Sequence, residues 1–194
     1  MATSEQLAEW RTCPRCGTSL EHDERSVRCP ACGLQEYANP APTASAVIRD
    51  EAGRILLARR AYDPGAGLWD LLGGFMNEGE EPLEALGREL REETGLEVEP
   101  GDYLGGLPER YGEDGIWTVN FYWAGRLGPG EPQPADDVAE LAWFPAGALP
   151  PRDQFAFTNT VEILERTVEK VPGVGRADAA DGDDERDAGE PGGL

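Results

Sequence analysis

Residues 73–96 read GGFMNEGEEPLEALGRELREETGL, and this stretch decides the fold. Pro82 suits a first helical turn and Gly95 a C-terminal cap, so the segment predicts a helix from Pro82 to about Thr94. At about 100° per residue, Leu83, Leu86 and Leu90 share one side, which should face the core. Glu89, Glu92 and Glu93 fall on an adjacent side, because spacings of three and four bring side chains together. Three carboxylates on one patch repel each other, and no lysine lies among them. A divalent cation relieves that repulsion, and oxygen-only ligands favour Mg²⁺ or Mn²⁺. The glycines ahead of the helix let the backbone come close, so the Gly74 carbonyl can add a ligand.

Outward from this segment, strand-like and helix-like patterns alternate. TASAVIRD (43–50) reads as a strand, Asp50 to Gly53 as a turn, and RILLARRA (54–61) as its hairpin partner. AGLWDLLG (66–73) is short and extended. DYLGGLPERY (102–111) and GIWTVNFYWAGRL (115–127) are strands, the second rich in aromatic and β-branched residues. ELAWFPAGALP (140–150) holds a short strand and a turn. Thr158 or Asn159 is expected to cap a last helix reaching about Lys170, with Val161, Leu164 and Val168 at helical spacing. The class is α/β (α+β) with a mixed sheet.

The spacing inside the opening segment is more specific than its amphipathicity. Gly74, five residues, Glu80, seven residues, then Arg88-Glu89-Leu90-Arg91-Glu92-Glu93-Thr94-Gly95-Leu96 resembles the Nudix box, G-x5-E-x7-R-E-U-x-E-E-x-G-U with U apolar, at every fixed and apolar position. The resemblance spans roughly residues 40–170. Leu72 stands where many members have proline. The resemblance implies an α/β/α sandwich. It also implies metal-assisted hydrolysis of a nucleoside diphosphate linked to another moiety. Glu89, Glu92, Glu93 and the Gly74 carbonyl would ligate Mg²⁺ or Mn²⁺. Arg88 would pair with Glu80 and hold the loop against the helix, since a bidentate arginine fixes a loop better than lysine. The general base would be Glu93 or an acid outside the box, with Glu140, Glu113 and Asp114 as candidates.

Residues 1–33 contain all four cysteines, as Cys13-Pro-Arg-Cys16-Gly and Cys29-Pro-Ala-Cys32-Gly. Two such knuckles present four thiolates tetrahedrally, which suits Zn²⁺. Gly17 and Gly33 follow each knuckle, where a positive φ is useful. His22, the sole histidine, is read as a surface residue. The ribbon is read as residues 1–36, a linker as 37–43, and the catalytic domain as 44–171. A ribbon followed by this box resembles the NADH pyrophosphatase branch of the family. The SQPWP-type motif of that branch is missing, the corresponding region reading LGGLPERYGEDGIWTVNFYW. NADH or NAD, ADP-ribose, a related dinucleotide and a nucleotide sugar all stay open as substrates.

Candidates for contact with a nucleobase are Tyr111, Trp117, Phe121, Phe155 and Phe157, and for contact with phosphate Arg59 and Arg60. A reading of a different class is a regulatory module that binds a nucleotide metabolite uncleaved and uses the ribbon for partner contact. Degraded box glutamates would favour it, and here they are intact.

The formal net charge is −21, with 38 acidic and 17 basic residues among 194. Residues 172–194 and residues 74–96 each hold seven acids and two bases. The terminal stretch has almost no large apolar residue and is expected to be a disordered acidic tail. The charge argues against nucleic-acid and membrane partners. No span and no leader are visible, so a cytoplasmic setting is expected. Homodimerisation through the ribbon is compatible with this reading.

Overall fold

The computed structural model describes residues 5–113 and 115–168. The acidic tail, the expected end of the last helix near Lys170 and the candidate base Asp114 lie outside the described residues.

The N-terminal unit is a three-stranded antiparallel ribbon of β1 (Glu21–His22), β2 (Ser26–Arg28) and β3 (Gln35–Tyr37). Its small core joins Leu7, Leu20, Val27 and Leu34 to Cys13 and Cys29. Gly17 and Gly33 both adopt φ 74°. The ribbon runs to Tyr37, and the first strand of the larger unit, β4 (Ala41–Ile48), begins at Ala41, leaving residues 38–40 between them.

β5 (Ile55–Arg60), β6 (Trp69–Asp70) and β7 (Leu72–Phe75) precede helix α1 (Pro82–Thr94). β8 (Val98–Arg110), β9 (Trp117–Leu127) and β10 (Val138–Phe144) follow, then helix α2 (Thr158–Val168). β4 is central in a mixed sheet of order β7-β4-β9-β8, antiparallel to β7 and parallel to β9. β5 belongs to a second sheet, β10-β5-β6.

The expected β4–β5 hairpin therefore does not form beyond one bridge, Arg49 to Ile55. The turn itself is present, with Gly53 N donating to Asp50 O. Both edges of β4 are already taken by β7 and β9, so β5 crosses into the other sheet. There its residues are buried alternately on two sides: Ile55 and Leu57 in one core cluster, Leu56 and Ala58 in the other.

α1 covers one face of the central sheet, its Ala85, Leu86 and Leu90 packed on Ala44, Ala46 and Ile48. Leu83 departs from the expectation and is 47% exposed. It sits in the first turn, ahead of the sheet that Leu86 and Leu90 reach. α2 covers the other face, with Val161, Ile163 and Leu164 against Val47, Leu107 and Tyr122. Two helices on opposite faces of a mixed sheet make the α/β/α arrangement that the box resemblance implies.

The α2 cap also differs from the expectation. Glu109 of β8 accepts from Thr158 N (2.9 Å), Thr158 Oγ1 (2.7 Å) and Asn159 N (3.0 Å). An acid from a distant strand thus supplies the N-terminal acceptor that Thr158 or Asn159 was expected to provide.

Candidate active site

Strand alternation places the site. Thr43 and Ser45 of β4 sit beside Asn120 and Tyr122 of β9 in the parallel register, and these four share one face of the sheet with Thr118. They form the polar floor of a cavity of about 180 Å³. Asp70, Glu109, Asn159 and Thr160 close it from the sides, and Gly73, Gly74 and Glu89 stand at the box end. Polar residues on an inward strand face are the sign of a ligand rather than a core.

The box residues are held by a dense set of contacts. Arg88 Nε and Nη2 donate to the two oxygens of Glu80, at 2.8 and 2.9 Å. Arg88 Nη1 donates to Glu89 (2.7 Å) and Glu92 (3.1 Å), and Nη2 also to the Phe75 carbonyl (2.9 Å). Glu80 further accepts from Asn77 N at 2.8 Å, closing the loop onto itself. The hydrogen bonds from Arg88 hold the Glu80 carboxyl down at about 2.

Glu93 is 4% exposed and accepts from Gly73 N at 2.9 Å. Burial raises its pKa well above the ordinary value, and the charges of Asp137, Glu89 and Asp70 raise it further. Burial likewise raises Glu89. Glu92 is exposed, so the three box glutamates separate into a buried, a half-buried and an outward member.

Sequence reasoning missed Asp70, Asp137, Glu109 and Asn159. Asp137 immediately precedes β10, at the end of a loop whose Gln133 N and Ala135 N donate to the carbonyls of Thr94 and Glu93. The loop thereby brings Asp137 to the box glutamates. Its neighbour Asp136 takes a left-handed backbone, φ 56°. The one available signal was an Asp-Asp pair at a strand entry.

The aromatic candidates divide. Tyr111 and Phe157 line the cavity, stacked with centroids 5.7 Å apart and planes 20° apart, and Phe75 meets Tyr111 edge-on at 5.1 Å. Phe121 occupies an odd position of β9, opposite in phase to Thr118 and Asn120, and so falls on the other face of the sheet. Trp117 shares that phase, is 49% exposed and lines a separate groove with Trp10. Phe155 is buried in the core near Trp69.

Arg60 lines the cavity but is engaged, donating to Pro64 O (2.7 Å) and Tyr111 Oη (3.0 Å), with its guanidinium over Phe157. Arg59 lies over the Trp69 ring and pairs with Glu140 at 2.8 Å. Neither Arg59 nor Glu140 lines the cavity, because the two neutralise each other on adjacent strands outside it. Glu113 does not line it either.

In the ribbon, the sulfurs of Cys13, Cys16, Cys29 and Cys32 all lie within 4.8 Å of one another. Two of the four are buried and two exposed. Four thiols gathered so closely and left unbridged could hold a metal ion, and such a donor set fits zinc. His22 is exposed on β1 and stands outside the cluster. Among the described residues no helix is long and apolar enough to cross a membrane.

A family model described as the NUDIX domain matches residues 39–163. The NAD-capped RNA hydrolase NudC of Pseudomonas aeruginosa is 32% identical over 154 residues, covering 75% of this chain and 53% of the relative. Its counterpart from Vibrio vulnificus is 30% identical over 163 residues, covering 81% and 59%. The chain thus spans about half the length of the curated relatives it matches. A NUDIX hydrolase structure from Nitrosomonas europaea superposes with a TM-score of 0.68 at 24% identity, over 82% of this chain and 91% of that one, a likeness of fold. An ADP-ribose pyrophosphatase structure from Streptococcus suis gives 0.54 at 26% identity, over 71% and 96%.

Proposed function

The chain belongs to the Nudix family, and from that membership we propose that it hydrolyses the diphosphate bond of a nucleoside diphosphate linked to another moiety. The supporting observation is that Gly74, Glu89 and Asp137 line one end of the cavity, with the buried Glu93 near enough to both acids for their charges to act on it. Glu89, Glu92, Glu93 and the Gly74 carbonyl would hold Mg²⁺ or Mn²⁺, joined by Asp137. An all-oxygen donor set suits such hard ions. When bound, the cation supplies neutralisation of diphosphate charge and acidifies a water.

The rest falls to the chain's own groups. Arg88 and Glu80 position Glu89 and the Gly74 turn. Glu93, held by the Gly73 amide, would take the proton of the attacking water. The aromatic wall at Tyr111 and Phe157 orients the leaving nucleotide. In the ribbon, Cys13, Cys16, Cys29 and Cys32 would hold Zn²⁺ in a structural role.

The relatives named for NAD-capped RNA and for ADP-ribose point the same way. NAD and ADP-ribose share an adenosine diphosphate, so we propose a substrate of that class. The charge of −21 does not oppose a polyanion once a divalent cation has reversed the local sign.

The test is product analysis with Mg²⁺ or Mn²⁺ against NADH, NAD⁺, NAD-capped RNA, ADP-ribose, diadenosine polyphosphates and nucleotide sugars. Turnover of at least one, abolished by chelation and reduced at least 100-fold in Glu93→Gln, is expected. No turnover of any, or an equally active Glu93→Gln, would overturn the reading.

A further inference from the structure

Ten arginines lie between residues 41 and 168. Eight of them have a carboxylate at 3.6 Å or less. Arg49 and Arg126 have none among the described residues. In a chain of net charge −21 an arginine without an acid against it is the exception, and these two exceptions are neighbours. β4 and β9 run parallel with Ile48 opposite Gly125, and Arg49 N donates to Gly125 O at 3.0 Å. The register thus carries on to set Arg49 beside Arg126. Like charges side by side on adjacent strands repel each other.

Both arginines line a pocket of about 340 Å³ at the C-terminal ends of these strands, with Trp143 of β10 on its wall. It shares no lining residue with the catalytic cavity. Arg49 Nη2 is buried and has no hydrogen-bond partner among the described residues, and burial lowers the pKa of the group. An unmade hydrogen bond costs most on a charged group. Three acids stand at the pocket as well, and none answers the arginines. Asp50 is taken by Arg54, which donates to it from Nε at 2.6 Å and from its backbone N at 2.8 Å. Glu99 is opposite Arg126 in the β8–β9 register yet forms no ion pair with it. Glu51 and Glu99 are both exposed.

We propose that Arg49 and Arg126 form a second anion site, separate from the catalytic cavity, that takes a phosphate group. Each guanidinium presents a planar fork of N–H donors that matches phosphate oxygens. One phosphate between them removes both the repulsion and the orphaned donor. The pocket volume is in the range of small-molecule sites, and Trp143 gives a ring a surface to pack on. The phosphate is therefore free or carried by a nucleotide. The hydrolysis proposed above releases phosphate monoesters, so this site takes the chemical class of the products, but binding itself does not depend on that reading.

The test is titration calorimetry on the full chain in a phosphate-free buffer with no added Mg²⁺ or Mn²⁺, where the acidic catalytic end disfavours anions. Inorganic phosphate should bind saturably. Its affinity should fall roughly tenfold or more in Arg126→Gln, the size of one lost charge-assisted hydrogen bond, and likewise in Arg49→Gln. Glu99→Gln, which removes the acid opposite Arg126, should tighten binding. Arg126 is exposed, so its variant keeps the test readable whether or not Arg49→Gln folds. AMP separates the two sources. A gain over phosphate of roughly tenfold, lost in Arg126→Gln, assigns a nucleotide, and equal or weaker affinity assigns free phosphate. Absence of saturable phosphate binding, or an affinity that Arg126→Gln leaves unchanged, would overturn the proposal. Neither titration requires turnover, so failure of the hydrolase reading would leave both results as they stand.

Discussion

Gly74 faces the Glu89 carboxylate so closely that a Cβ there would lie 2.6 Å from Glu89 Cδ and 2.7 Å from both oxygens. The obstacle is the end of a side chain, not backbone, and Gly74 does not sit at positive φ. Gly74→Ala should therefore fold and instead push Glu89 aside. A displacement of about 1 Å at a reacting centre is worth about 100-fold in rate, so kcat/KM should fall by at least tenfold with a nearly unchanged melting temperature. Gly73→Ala makes the contrast. Its φ is 134° and its Cβ would lie 2.2 Å from the Ala44 carbonyl, so this variant should fail in folding before activity can be read. Equal behaviour of the two variants would contradict the assignment.

The Glu80–Arg88 pair carries a pH signature. The folded Glu80 carboxyl is held down at about 2 by Arg88, below the roughly 4.3 of an unfolded glutamate. A depressed pKa contributes stability that is complete above the unfolded value and is lost as pH falls toward the folded one. The contribution should fade between about pH 4 and 2. Glu80→Gln should flatten that part of the acid-unfolding curve and leave the neutral-to-basic limb as it is. An unchanged acid limb would show that the pair does not anchor the loop.

Glu109 caps α2 through three donors, so its loss leaves helix-end amides without an acceptor. Losing an N-terminal cap costs about 0.5–2 kcal/mol. Glu109→Ala should lower the denaturation midpoint accordingly, and Glu109→Gln, which retains an oxygen, by less. Urea titrations of both variants measure the difference, and equal midpoints for wild type and Glu109→Ala would count against the cap.

Cys29 is wholly buried in the ribbon core beside Leu20 and Val27. If the four thiols hold Zn²⁺, metal analysis should return about one zinc per chain, and Cys29→Ser should lose it. Trp10, half-exposed near the ribbon, should then change its fluorescence while the helical signal of α1 and α2 stays. Zinc content unchanged in Cys29→Ser would remove the cysteine cluster from consideration.

What the sequence disclosed and what it hid differ in range. The α1 bounds, the placement of Leu86 and Leu90 and the pairing of Arg88 with Glu80 follow from helical period and local caps, interactions over at most about ten residues. The partnership of β5 depends on β4 having both edges occupied, one of them by β9 some seventy residues away, and no local pattern records that. Phe121 lies outside the cavity lining for a related reason: composition marks an aromatic strand but not its phase, which the register with β4 sets. Asp70, Asp137 and Asn159 reach the cavity from three separate elements, and only their packing shows them to be neighbours.

The loop that ends at Asp137 is pinned at Gln133 and Ala135 to the last carbonyls of α1. Its length therefore acts as a gauge. Surface loops normally tolerate inserted or deleted residues, but here one residue more or fewer between Ala135 and Asp137 would move an acid relative to Glu93 while every secondary-structure element stayed in place. In an otherwise editable surface, this short span is the place where library design should hold length constant and vary only side chains.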